Sequence, residues 1–157
     1  MQAIIKSACQ KAGIELELKS VMASVFFSTD FNNSDTNLKF YADLQMFNFG
    51  GNIDSEAFMR NFHSSQIPTK QNKWSVQNAP RWRNAQYDTT FAAAQTELDP
   101  AKRAALFIQL NDILVNDGYV IPLANRPEIA AIARNLHAPM SAWSSQIFLI
   151  QDWYRDA

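Results

Sequence analysis

Cysteine is almost missing from this 157-residue sequence: Cys9 stands alone, so no internal disulfide can form. A lone thiol says little about redox compartment, and Cys9 is expected as a small buried side chain. Histidine is nearly as scarce. With His63 and His137 far apart and one cysteine, no run has the spacing of metal ligands, and no metal or other cofactor is expected. The four glycines make no G-x-x-x-x-G-K, no G-x-G-x-x-G and no G-x-S-x-G; Gly50-Gly51-Asn52 reads as a turn. Charge of one sign is missing too. Fourteen Lys and Arg against fifteen Asp and Glu leave a net charge of -1, without the basic stripe that nucleic acid or an anionic membrane calls for. No apolar run approaches the ~20 residues that span a bilayer. The opening MQAIIKSACQKAG has neither the charged start nor the long apolar run of a secretion signal.

Apolar and aromatic side chains are plentiful. Hydrophobic residues make up 47% of the chain and include eleven Phe and four Trp, enough burial to offset chain entropy in one domain. Ile4, Ile5, Ala8, Cys9 and Ala12 recur at helical spacing ahead of Gly13, which predicts a short amphipathic helix with a left-handed C-terminal cap. IELELKSV then alternates Ile14, Leu16 and Leu18 with Glu15, Glu17 and Lys19, the pattern of a strand with one wet face. VFFSTDFNNSDTN reads as a short helical piece running into a loop, and KFYADLQMFNF as a second strand ending at Gly50. Asp54 or Ser55 is placed to cap a short helix with Phe58 and Phe62 on one face.

From His63 to Pro80 the chain turns polar, with Ile67, Trp74 and Val76 as isolated apolar points. Connections of this length are often functional, so the segment is a candidate binding loop. Two helices are predicted next, over 85–98 and 100–117. Asn84 caps the first, along which Tyr87, Phe91, Ala94 and Leu98 step at core spacing. Asp99-Pro100 opens the second and Gly118 closes it, with Leu106, Phe107, Leu110, Ile113 and Leu114 as its apolar face. YVIPLANR reads as a strand that loses one ladder bond at Pro122, and EIAAIAR as a further apolar segment. The order of elements predicts an α/β fold, a small mixed sheet flanked by helices that include an antiparallel pair.

Chemistry concentrates in PRWRNAQYD. Arg81 and Arg83 can grip a carboxylate or phosphate bidentately, and Trp82 offers rigid apolar area. A structural reading of the same residues packs Trp82 in the core and leaves the arginines in solvent or paired with Asp88 and Glu97. Asp30, Asp35, Asp54 and Glu56 are carboxylates of loops and caps, and no acid/base role is expected of them. The protein is therefore expected to be a binder and not an enzyme.

The stretch WRNAQYDTTFAAAQTELDPAKRAALFIQLNDILVNDGYVIPLANR carries an aromatic-x-Asn-x-x-Tyr-Asp opening, an Asp-Pro-x-x-Arg helix start and an Ile-Pro-Leu strand. In order and spacing it resembles the C-terminal part of the family-five extracytoplasmic solute-binding proteins, the oligopeptide and dipeptide receptors of ABC importers. AIIKSACQKAGIELELKSV and ADLQMFNFGGNIDSEAFM look like that lobe's opening helix and strand and its strand toward the cleft. The resemblance covers nearly the whole chain and implies residues 1–157 as a single α/β lobe, the C-terminal lobe of a class II periplasmic-binding-protein-like clamp. It implies a periplasmic or extracytoplasmic location, a peptide or related small solute as ligand, the permease subunits of an ABC transporter as partners, and an N-terminal lobe of the same protein as the opposite jaw.

By resemblance the cleft residues are Phe49, Asn52, Asp54, Trp74, Arg81, Trp82 and Arg83. Asn52 aligns with an aspartate that in the family commonly pairs with a peptide's amino terminus. A neutral amide cannot neutralise an ammonium, although Asp54 lies two residues on; the family's proline-rich turn at that place is missing as well. The rival reading is a self-sufficient protein-interaction domain, docking through Phe26, Phe27 and the aromatic tail.

Overall fold

A computed structural model of the protein describes residues 1–30, 32–39, 42–48, 54–124, 127, 129–140 and 147–156, with backbone alone at 147 and 148. Among them are five α-helices and one small sheet: α1 (Gln2–Lys11), α2 (Ala23–Phe26), α3 (Ser55–Arg60), α4 (Ala85–Thr96), α5 (Pro100–Asn116), β1 (Leu136–His137) and β2 (Tyr154–Arg155). The sheet is antiparallel, with Leu136 opposite Arg155 and His137 opposite Tyr154. Helices with a small sheet are compatible with an α/β class in the broad sense. By its contacts the chain divides into two compact units, Met1–Phe47 with Ile67–Arg81, and Asn48–Gln66 with Trp82–Ala157.

In the first unit α1 ends where the sequence predicts, at Gly13 in the left-handed region (φ 79°). None of its residues is buried, and Cys9 is partly exposed where a buried thiol is expected. Ile4, on the same apolar stripe, is exposed as well. Phe26, Phe27 and Phe47 form a cluster of edge-on rings with centroids 5.0 to 6.0 Å apart. The backbone N–H of Asn37 donates to Phe26 O and Gln45 Nε2 donates to Asn37 O, so the turn at 36–39 is tied back to α2.

The second unit holds the hydrophobic core. Met59 and Phe62, Trp82, Tyr87, Phe91 and Ala94, and Leu110 and Leu114 bury one another, with Phe58, Leu106, Phe107, Ile113 and Val120 packed around them. Local signals start each helix. Asp54 accepts from Glu56 N, Asn84 from Tyr87 N, and Asp99 from Ala101 N and Lys102 N, with Pro100 in the first turn of α5. Gly118 follows α5 with φ 72°, and Asp117 as its cap. Glu97, Leu98 and Asp99 are all that joins α4 to α5, so the two helices must pack antiparallel.

Three expectations are corrected. The segments 14–21 and 119–124, the latter the described part of YVIPLANR, are read as strands but form no ladder among the described residues, and neither does 42–48, the described part of the second strand-like run. Alternation marks which side of a segment is apolar, but a strand also needs a second backbone to take its N–H and C=O groups. Among the described residues the β1–β2 pair makes the sheet. Leu98, expected in the core, is 93% exposed because α4 stops at Thr96 and the extended Glu97 turns the next side chain outward. Asp88 and Glu97, offered as one pair of partners for the arginines, accept from other groups, Asp88 from Ser64 N and Glu97 from Asp99 N, while Arg83 is exposed, which is the solvent alternative of that reading.

Candidate functional site

The polar stretch expected to be a binding loop is built, not loose. After a 3-10 turn at Ser64–Gln66, Asn72 organises the part in the first unit: its Oδ1 accepts from Thr69 N at 2.8 Å and its Nδ2 donates to Ile67 O at 2.8 Å. Lys73 and Trp74 then take left-handed φ of 52° and 51°, and Arg81 takes 57°. Such backbone in non-glycine residues costs of order 1 kcal/mol each and persists where surrounding contacts over-determine it. Here they do. Trp74 N donates to Thr69 O, Arg81 N donates to Asn78 O, and Asn78 is fully buried.

Two of the three left-handed residues are ones the sequence singled out. The Arg81 guanidinium donates through Nη1 to Ala79 O at 3.1 Å and through Nη2 to Leu38 O at 3.0 Å and Lys39 O at 3.2 Å. Its hydrogen-bonding edge thus holds the loop against the turn at 36–39 and is not held out for a ligand anion. The consequence falls on Lys39, which sequence reasoning missed. Its Nζ sits 4.5 Å from the centroid of the Trp74 ring, within cation–π range. Ser28, Thr29, Asp30, Thr36, Leu38, Lys39 and Trp74 line a small depression of about 10 Å³, room for roughly one water. Nothing in the sequence around Lys39 separates it from any other lysine, so it was not legible there.

The remaining sequence candidates lie in the second unit or outside the described residues. Phe49 and Asn52 lie outside them. Trp82 is 2% exposed: its ring stands edge-on to Tyr87 with centroids 4.8 Å apart, and its Nε1–H donates to the Asp117 carboxylate at 3.0 Å, which also accepts from Asn84 Nδ2. The indole is thus a core residue, as in the structural reading of PRWR, and presents no face to a ligand. Arg83, next to it, is exposed. Tyr87 is buried beneath Trp82 and donates its hydroxyl to Met59 O at 2.7 Å; burial pushes its phenol well above the ordinary tyrosine range.

Asp54 is fully engaged as a cap and an ion-pair partner. Its carboxylate accepts from Glu56 N at 2.9 Å and from Arg103 Nη2 at 3.0 and 3.1 Å. Glu56 accepts from Arg60 at 2.6 Å and from Gln95 at 3.1 Å, and the Arg103 guanidinium lies over the Phe107 ring. Both carboxyls are held below their ordinary range: Asp54 chiefly by the Glu56 amide and then Arg103, Glu56 chiefly by Arg60 and then Gln95. A depressed carboxyl favours the folded state above its ordinary pKa, and the benefit is lost as pH falls through the folded value. The thermal midpoint is therefore expected to fall as pH is lowered from about 5 to about 3. In an Asp54→Asn, Glu56→Gln variant the same scan is expected to be flatter. Both carboxyls face solvent, so the difference in slope is small; equal slopes would show that the network contributes nothing.

Comparison with protein-family models, with curated proteins and with solved structures finds no match for this chain. The site is therefore argued from its own geometry.

Proposed function

We propose that this chain is a solute-binding lobe, one jaw of a clamp that captures a peptide or related small solute outside the cytoplasm for an ABC importer. The observation that carries the reading is the left-handed loop at 73–81. It places Trp74, selected from sequence as a cleft residue, against Lys39, and backbone hydrogen bonds from Trp74 N to Thr69 O and from Lys39 N to Thr36 O hold both. An aromatic face beside an ammonium suits a ligand with an apolar part and an acid group. Arg81 positions this pair, where the sequence reading had it meet the ligand directly.

The segments that form no ladder among the described residues support the second element of the reading, a missing partner. Ile14 and Leu18, and separately Ile121 and Leu123, are exposed. Apolar rows on extended backbone are stable when another polypeptide covers them. A clamp draws its affinity from contacts on both jaws. Titrated alone by calorimetry with tri- and tetrapeptides, the chain is expected to give no heat at micromolar concentrations. Joined in one polypeptide to the opposite lobe encoded with it, it is expected to bind, and Trp74→Ala is expected to weaken that binding at least about tenfold. Tight binding by the chain alone would overturn the two-jaw account. The exposed apolar rows also favour the rival reading of a protein-docking domain; a coding region that specifies no export signal and no second α/β lobe around this chain would decide for it.

A further inference from the structure

We propose that Ser65 is a nucleophile, activated by His63 and Asp88, that reacts with small acyl or phosphonyl compounds carrying a good leaving group. The three residues lie in the second unit, and the inference is independent of the solute-binding reading.

Ser65 Oγ is 2.8 Å from Nδ1 of His63, and the backbone N–H of Ser65 donates to the same nitrogen at 3.1 Å. An amide N–H can only donate. Nδ1 must therefore present its lone pair, and in the neutral ring the proton sits on Nε2. Nε2 faces Asp88 Oδ1 at 3.6 Å, and that oxygen is itself held by the N–H of Ser64 at 3.0 Å. A hydroxyl thus meets one nitrogen of an imidazole whose other nitrogen lies near a carboxylate, at ion-pair distance and just beyond hydrogen-bond length. Those are the three roles of nucleophile, base and orienter, recognised by geometry and not by order in the sequence.

The frame is rigid where it has to be. Asp88 stands in the first turn of α4, and Phe91, one turn on, packs its ring against the imidazole with centroids 5.6 Å apart. Phe91 belongs to the core, so the imidazole is backed by buried structure while the side chains of His63 and Asp88 remain about a quarter exposed and Ser65 is open to solvent. Sequence spacing hides the set, because Asp88 is twenty-three residues from Ser65 and arrives through the fold.

The reaction follows from these positions. As the Ser65 Oγ–acyl carbon bond forms, His63 Nδ1 takes the hydroxyl proton; the bond from acyl carbon to the leaving oxygen breaks, and the leaving group departs with that proton. Water then attacks the acyl-serine, its proton again passing to His63, and releases the carboxylic acid and the free hydroxyl. With a fluorophosphonate the first half alone occurs: an Oγ–P bond forms, the P–F bond breaks, fluoride leaves and the proton passes from His63 to solvent. The Nδ1 lone pair is shared between the Ser65 hydroxyl and the Ser65 amide, so it is only partly available to take the hydroxyl proton. That restricts the substrate class to aryl esters and similarly activated compounds.

The test is covalent labelling of the full chain with a reporter fluorophosphonate, mapped by peptide mass spectrometry. One adduct is expected, on Ser65, and Ser65→Ala, at an exposed position, should abolish it while leaving the thermal midpoint unchanged. His63→Gln is expected to slow labelling at least about 100-fold. Its amide oxygen can still accept from the Ser65 N–H, so a His63 that merely caps the 3-10 turn would leave the labelling rate as it was. Asp88→Asn should slow it less. Labelling spread over several serines, no labelling of Ser65, or an unchanged rate in His63→Gln would each overturn the proposal.

Discussion

Trp82→Ala is expected to destabilise the protein by about 4 kcal/mol, the largest loss of any single substitution considered. The indole is 2% exposed, stands edge-on to Tyr87, packs near Tyr119 and donates to Asp117. Truncation removes an aromatic volume that its neighbours cannot refill, since Tyr87 is pinned through its hydroxyl to Met59 O. Trp82→Phe keeps most of the buried ring and forfeits the bond to Asp117, so its cost should be nearer 1 to 2 kcal/mol. Urea unfolding followed by circular dichroism measures both. The experiment also bears on function: an alanine variant as stable as the wild type, but defective in ligand binding, would return the indole to a surface and revive it as a cleft residue.

Leu110→Ala is expected to cost about 3 kcal/mol and to lower the thermal midpoint by about 10 °C, whereas Leu98→Ala should change stability by less than about 0.5 kcal/mol. The same chemical change is made twelve residues apart. Leu110 is fully buried in the middle of α5, where α3 and α4 also pack, and Leu98 is 93% exposed in the short link. Equal losses at the two positions would mean that α4 continues beyond Thr96 and carries Leu98 into the core, as its sequence spacing suggests.

Sequence reasoning was strongest where a signal and its target lie within a few residues. Asn84, Asp99-Pro100 and Gly118 bound α4 and α5 because a cap side chain meets an amide two or three residues on, and because glycine tolerates a left-handed φ wherever it stands. Phe91, Leu110 and Leu114 were likewise legible, since one helical stripe names its own buried face. The strands expected over 14–21 and 119–126 formed no ladder among the described residues for the complementary reason. Their alternation is real, but pairing depends on a distant backbone that alternation does not specify. Of the candidate site, Trp74 and Arg81 fell in a fixed, left-handed loop, Trp82 fell in the core, and Phe49 and Asn52 lie outside the described residues.

The PRWR motif shows the division most sharply. Its composition allows either a grip on an anion or a packed indole, and nothing within the motif chooses between them. The choice came from Leu38, Lys39 and Ala79, whose carbonyls engage Arg81, and from Asp117 and Tyr87, which enclose Trp82. The same holds for His63, whose neighbour Ser65 is local but whose carboxylate, Asp88, is supplied by another helix. By itself, then, the sequence determined where α4 and α5 begin, where α5 ends, which face of α5 is apolar, and that no internal disulfide can form. The tertiary structure alone decided which indole is buried, which leucine is not, and which cation meets Trp74, because caps are short-range contacts while burial and charge pairing depend on residues brought together from far along the chain.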